Sequence, residues 1–209
     1  MPSMTVSEQG KPARTWDVLL IGGASGTGKT SVSYRVAQYF GVGITEIDDF
    51  QMILERMTTP EQQPALHYWK THPDAIYLPP EGIVDLTLAS SEAMAPALEA
   101  VIDNHLESNA PVVLEGDYML PSLLARLAAS DAAKYARVRA VFLHEPDEAQ
   151  LLSNFTSREP DEPPQTLRAR VSWLYGNWLK QQAELAGLAV LPARPWDTLF
   201  ERLLAVLNF

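Results

Sequence analysis

One eight-residue stretch constrains this chain more than any other. Gly23, Ala24, Ser25, Gly26, Thr27, Gly28, Lys29 and Thr30 fit the pattern G-x-x-x-x-G-K-[ST] at every fixed position. An apolar run at residues 16–21 precedes it and reads as a buried strand. Residues 31–40 follow it, with Val32, Val36 and Phe40 spaced four apart as on one face of a helix, and Gly41 suits the position just past the helix end. A glycine-rich turn between strand and helix lets backbone N–H groups converge on phosphate oxygens, aided by the positive end of the helix. In that setting Lys29 reaches the β- and γ-phosphates and the Thr30 hydroxyl is a ligand for Mg²⁺. All eight residues are therefore candidate nucleotide-binding positions.

The rest of the chain alternates in a way that suits the motif. Further strands are expected at 43–47, 111–114, 138–143 and 188–191, with helices at 50–57, 83–106, 121–129, 147–155 and 166–185. An amphipathic closing helix is expected over 196–207. Strands alternating with helices imply an α/β fold, a parallel sheet covered on both faces. Residues 59–82, proline-rich and without clear period, read as an irregular insertion that contains His67, Tyr68 and Trp69. The domain reading is a tail over 1–14 and one domain over 15–209, with an acceptor insertion at 59–106 and a lid at 156–170.

Composition narrows the function classes. The 209 residues carry a net charge of −10, concentrated in the middle, where residues 44–165 hold seven basic against twenty-one acidic side chains. That balance opposes a nucleic-acid partner, because phosphate backbones are bound by clustered Lys and Arg. The absence of cysteine excludes disulfides and thiolate chemistry. No run of eighteen apolar residues occurs, so no membrane span is expected, and residues 1–14 lack an apolar signal core. The resulting expectation is a cytoplasmic protein.

Acidic residues at the expected strand ends supply the remaining chemistry. After the third strand, Glu115 is the candidate partner of Mg²⁺, with Asp117 next to it; an acidic turn is the bland account of both. After the second, Asp48 is the preferred general base, and Asp49 a helix cap or substrate ligand, with the two roles exchangeable. Arg158, followed by a proline-rich acidic break and by Arg168 and Arg170, suggests a flap whose arginines close over the phosphates. Arg194, near Trp196 after the fifth strand, is placed to touch the adenine. Arg56 and His67 are candidate substrate contacts. Core packing is the ordinary role of the aromatic clusters.

At these residues the chain resembles the P-loop small-molecule kinase superfamily. Asp48-Asp49-Phe50 and Glu115-Gly116 look like the corresponding segments of uridine and nicotinamide riboside-type kinases. Residues 21–30 and 113–121 look more like 2-phosphoglycerate kinase, which has similar glycine-rich and Glu-Gly-x-x-x-x-Pro stretches. The resemblance covers about 15–57, 111–158 and 188–207, and not 59–106. It implies a three-layer fold with five parallel strands in the order 2-3-1-4-5, a helical acceptor region, and a lid containing Arg158. It also implies Mg-ATP on Lys29 and Thr30, and a small-molecule hydroxyl as acceptor. One feature departs from a phosphoglycerate-like acceptor site: within 59–106 Lys70 is the lone lysine or arginine among many acidic side chains. The competing reading is a nucleotide-dependent switch acting on a protein partner; a polynucleotide kinase is opposed by the charge. The sequence does not fix the oligomeric state, nor ATP against GTP.

Overall fold

The computed structural model describes residues 13–207, so the tail expected over 1–14 falls almost wholly outside the described residues. Five parallel strands form one sheet: β1 (Val18–Gly23), β2 (Gly43–Glu46), β3 (Val112–Gly116), β4 (Val138–His144) and β5 (Ala189–Pro192). Their spatial order is β2-β3-β1-β4-β5, as expected. Eight α-helices accompany them in the described residues: α1 (Lys29–Phe40), α2 (Ile47–Met57), α3 (Pro64–Thr71), α4 (Pro80–Glu107), α5 (Pro121–Ser130), α6 (Glu148–Arg158), α7 (Thr166–Leu185) and α8 (Leu199–Leu207).

Side-chain alternation along the buried strands makes three layers. Val18 and Leu20 of β1, with Leu114 and Phe142, face a core completed by Met94, Leu98 and Ile102 of α4 and Leu179 of α7. Leu19 and Ile21, with Val113 and Val141, face the other side, against Val32, Val36 and Phe40 of α1 and Leu203 of α8. Because both faces are covered, β1 and β3 are apolar nearly throughout, and their burial is continuous.

Three boundaries differ from expectation. The first helix begins at Lys29 and not at residue 31, because Gly28 takes a left-handed conformation (φ 80°) that turns the loop directly into the helix. The second strand stops at Glu46, and Ile47, fully buried, opens α2, so Asp48 and Asp49 lie in a first helical turn. Their charge suits that position, where the helix end is positive.

The third difference is larger. Residues 59–82 are mostly helical, forming α3 and a short 3₁₀ helix, Pro73–Tyr77. Pro64 and Pro73 occur in the first turns of these helices, where the missing N–H costs nothing. Leu66 joins the core, and the Ser90 hydroxyl of α4 donates to the Ala65 carbonyl at 3.1 Å. The helix is too short to reveal a period in sequence. No described helix is long and apolar enough to cross a membrane.

Candidate active site

Parallel pairing brings the strand ends to one edge. Ile21 of β1 aligns with Glu115 of β3, and Glu115 with Glu46 of β2. The glycine loop leaves β1 at this edge and α2 leaves β2 there, which is why residues far apart in sequence meet. They line a cleft of about 790 Å³. Ser25, Gly26, Gly28, Lys29 and Thr30 form its floor, with Glu46, Asp48, Glu115 and Asp117 along one wall.

Not all of the loop faces the cleft. The Thr27 hydroxyl, buried, donates to the Ala24 carbonyl at 2.9 Å, and Gly23, Ala24 and Thr27 shape the loop from beneath. Lys29 is also buried; its Nζ donates to the same Ala24 carbonyl at 2.9 Å and stands 2.5 Å from Asp117 Oδ1. A Cβ on Gly28 would come within 2.8 Å of the Trp196 ring, and one on Gly26 within 3.0 Å of the Phe155 ring. Both glycines combine a positive φ with a ring directly against them, so no side chain fits either position.

The Thr30 hydroxyl donates to Glu115 Oε1 at 2.9 Å. Burial, opposed by Lys29 and Thr30, pushes the Glu115 carboxyl above its ordinary value, and Glu46 and Asp117 add to the shift. Asp48 is lifted likewise, first by loss of solvent around it and then by Asp117, with Lys29 opposing. Its surface is open to the cleft, yet enough protein surrounds it to restrict hydration. This crowding of hard oxygen donors fits Mg²⁺, with Thr30 and Glu115 as the residues that would hold it. Among the described residues no three His, Cys, Asp or Glu side chains form a metal site by themselves. An ion completed by nucleotide phosphates and water is the arrangement Mg²⁺ favours.

Arginines close the far side. Arg158 and Arg168 both bond to Glu159 Oε1, at 2.8 and 3.0 Å, and both lie over the Phe155 ring, at 5.4 and 4.4 Å. Both line the cleft. Arg170 does not; it pairs with Glu148 and stacks on Trp173.

Four further expected positions lie outside the cleft lining. Arg194 is held by Glu145 through two bonds of 2.7 Å and lies outside the cleft lining. The Glu145 side chain is fully buried, and a bidentate arginine is what makes that burial tolerable. His67 is buried, 3.1 Å from the Thr58 hydroxyl, and serves the α2–α3 junction. Arg56, in the last turn of α2, is exposed and lines neither cavity. Asp49 also lies outside the lining, which favours Asp48 of the pair.

Sequence reasoning missed two features. A hydrogen-bond relay runs from Arg194 to Gln150 (3.2 Å), on to Asn154 (2.8 Å), and to the Gly26 carbonyl (2.9 Å). The i, i+4 spacing of Gln150 and Asn154 was the available signal. The second is Tyr118, whose phenol is pushed up to about 12 by burial and by Asp48 and Asp117, so it stays protonated. It lines a second cavity of about 590 Å³ that shares Ser25, Asp117 and Arg168 with the cleft.

Sheet order, glycine loop and converging strand ends are those of a P-loop nucleotide-binding α/β fold. A family model described as isopentenyl transferase matches residues 16–161, and the chain belongs to that family. The residue motifs alone do not point to it. The chain is similar to a 2-phosphoglycerate kinase from Methanothermobacter thermautotrophicus, 26% identical over 113 residues, which are 51% of this chain and 37% of that protein. It thus matches well under half of that relative's length. Among solved structures, a gluconokinase from Sinorhizobium meliloti 1021 superposes with a TM-score of 0.57 at 20% identity over 94% of both chains. A deoxyadenosine kinase from M. mycoides gives 0.50 at 14% identity, covering 91% of this chain and 98% of that one. These two likenesses establish the fold.

Proposed function

We propose that the protein transfers the γ-phosphoryl group of ATP to a hydroxyl of a small molecule. The observation that carries this reading is the convergence of Lys29, Thr30, Asp48, Glu115 and Asp117 on one cleft that shares three lining residues with a second cavity. In it, the acceptor oxygen attacks the γ-phosphorus while its proton passes to Asp48. The bond from that phosphorus to the β,γ-bridging oxygen breaks, and ADP leaves with the electron pair. Lys29 holds the β- and γ-phosphates, and Arg158 and Arg168 neutralise charge on the transferring group. Mg²⁺, held with the nucleotide by Thr30 and Glu115, supplies further charge neutralisation. Residues 156–170 act as the lid and 59–106 as the acceptor region.

A second reading follows from the family match: transfer of an isopentenyl group from its diphosphate to a nucleophilic atom of an acceptor, with the C–O bond to the diphosphate broken and pyrophosphate leaving from the same loop. The two readings leave different products. The test is ADP formation by the full chain in Mg-ATP, with and without a deproteinised metabolite extract, beside Lys29→Ala. Extract-stimulated ADP formation that disappears in the variant, with a new phosphoester signal, supports the kinase. Pyrophosphate release from isopentenyl diphosphate, with ATP unconsumed, supports the second reading and overturns the first.

A further inference from the structure

We propose that the cavity beside the phosphate cleft is the acceptor pocket, and that it takes an uncharged alcohol with an apolar, ring-sized body instead of a phosphorylated or carboxylic acid. The inference rests on the phosphoryl-transfer reading above and names its substrate class.

Position comes first. The cavity shares Ser25, Asp117 and Arg168 with the cleft, so a molecule seated there meets the phosphates at one end only. Tyr118, on its wall, lies within the electrostatic reach of Asp48. A protonated phenol beside the proposed base can donate a hydrogen bond that orients an acceptor hydroxyl. The volume, about 590 Å³, is that of a small-molecule site.

Lining chemistry sets the class. Trp69, Ile76, Ile83, Val171 and the Tyr118 and Tyr175 rings form the body of the pocket. Trp69, Ile76 and Leu167 rank among the large apolar side chains left substantially exposed, at 38%, 57% and 42%, and all three converge on this cavity. An apolar guest would remove them from water.

Cations are the opposite case. Asp117 and Arg168 are the charged residues of the lining: Asp117 repels an anion, and Arg168, bonded to Glu159 and Gln165, is the cation assigned above to the transferring phosphoryl group. Lys70, next to Trp69 in the chain, is paired with Glu55. An anionic acceptor would have to give up its hydration without a waiting partner, which is costly in an apolar wall. The other polar groups of the lining, among them the hydroxyls of Thr87, Ser172 and Tyr118, are neutral.

The test is equilibrium binding of 2-naphthaleneethanol, a neutral fluorescent alcohol, to the full chain with Mg-ADP, with 2-phosphoglycerate as competitor. Saturable binding to one site is expected, weakened at least about tenfold by Val171→Trp, which fills the cavity, and about threefold by Ile76→Glu. Ile76 is exposed, so that variant folds even if the tryptophan variant does not. No displacement by 2-phosphoglycerate is expected. Displacement by it, its phosphorylation, or alcohol binding unchanged in both variants overturns the proposal. ADP binding, measured in the same samples, separates the two levels. Lost nucleotide binding fails the kinase reading, whereas retained nucleotide binding with the acceptor pattern inverted fails the acceptor class alone.

Discussion

Lys29 Nζ lies 2.5 Å from Asp117 Oδ1, so the loop lysine is already occupied before any phosphate arrives. The Ala24 carbonyl holds it as well. An incoming nucleotide must compete with Asp117 for this ammonium group while also approaching a second negative charge. Lys29→Ala should therefore weaken ATP binding at least about a hundredfold, whereas Asp117→Asn should tighten it about threefold to tenfold. Titration calorimetry on both variants checks the pair. A weaker Asp117→Asn would show that this carboxylate assists the phosphates instead of competing with them.

Asp48 should separate binding from chemistry. Asp48→Asn keeps the shape of the first turn of α2 and removes the proton acceptor, so turnover should fall about 10²- to 10⁴-fold with ATP affinity nearly unchanged. The raised Asp48 pKa puts the acid limb of the pH–rate profile above the ordinary carboxylate value of 3.8. The stability effect has the opposite sign. A carboxyl raised in the folded state weakens the fold as pH rises through that value. Asp48→Asn should thus melt later than the parent at neutral pH, and the two should converge as pH falls to the ordinary value; calorimetric melts across pH check this.

Glu159 joins the two arginines of the proposed lid. Its carboxyl is held down at about 2, against an ordinary 4.5, first by Gln165 and then by Arg158 and Arg168. Because the folded value is depressed, its contribution is complete above about 4.5 and is lost as pH falls toward 2. Glu159→Gln should speed amide exchange across residues 159–169 by about threefold at pH 7, a modest effect because the group is solvent-accessible. Exchange at acid pH, where parent and variant should coincide, is the control.

Asn154, in the cleft lining, braces the glycine loop. Its amide nitrogen donates to the Gly26 carbonyl at 2.9 Å, and Gln150 and Arg194 orient it in turn. Asn154→Ala leaves that carbonyl without its partner and should weaken ATP binding about tenfold without unfolding the chain. Arg194→Ala should weaken it less through the same relay, while lowering the melting temperature, because Glu145 is left buried without its counter-charge. Affinity and melting curves measured side by side distinguish the two residues.

Much of this molecule is local and therefore legible in sequence. Strand-forming runs such as residues 18–21, the helical stripe of Val32, Val36 and Phe40, and the fixed positions of the glycine loop are settled by neighbours a few residues away. Sheet order was legible only through the family resemblance that the loop carries. The carboxylates were legible as types at strand ends, since charge at the edge of a buried sheet needs a partner or a task.

What only the tertiary structure decided are distances between distant segments. Arg194 looked like a nucleotide contact because a cation after the last strand can face the cleft; the buried Glu145 claims it instead. His67 looked like a substrate contact because its segment has no long period, yet short helices fold it against Thr58. Nothing local distinguishes Asp48 from Asp49; their neighbouring positions on α2 turn one into the cleft and not the other. Tyr118 and Asn154 acquire their roles only when β3 and α6 meet the glycine loop. The sequence by itself determined the phosphate-binding loop and the alternation of strands with helices, because both arise from contacts along a short length of chain. Partnership among charged and polar side chains was decided by packing, because those energies depend on burial and on separations that no linear spacing encodes.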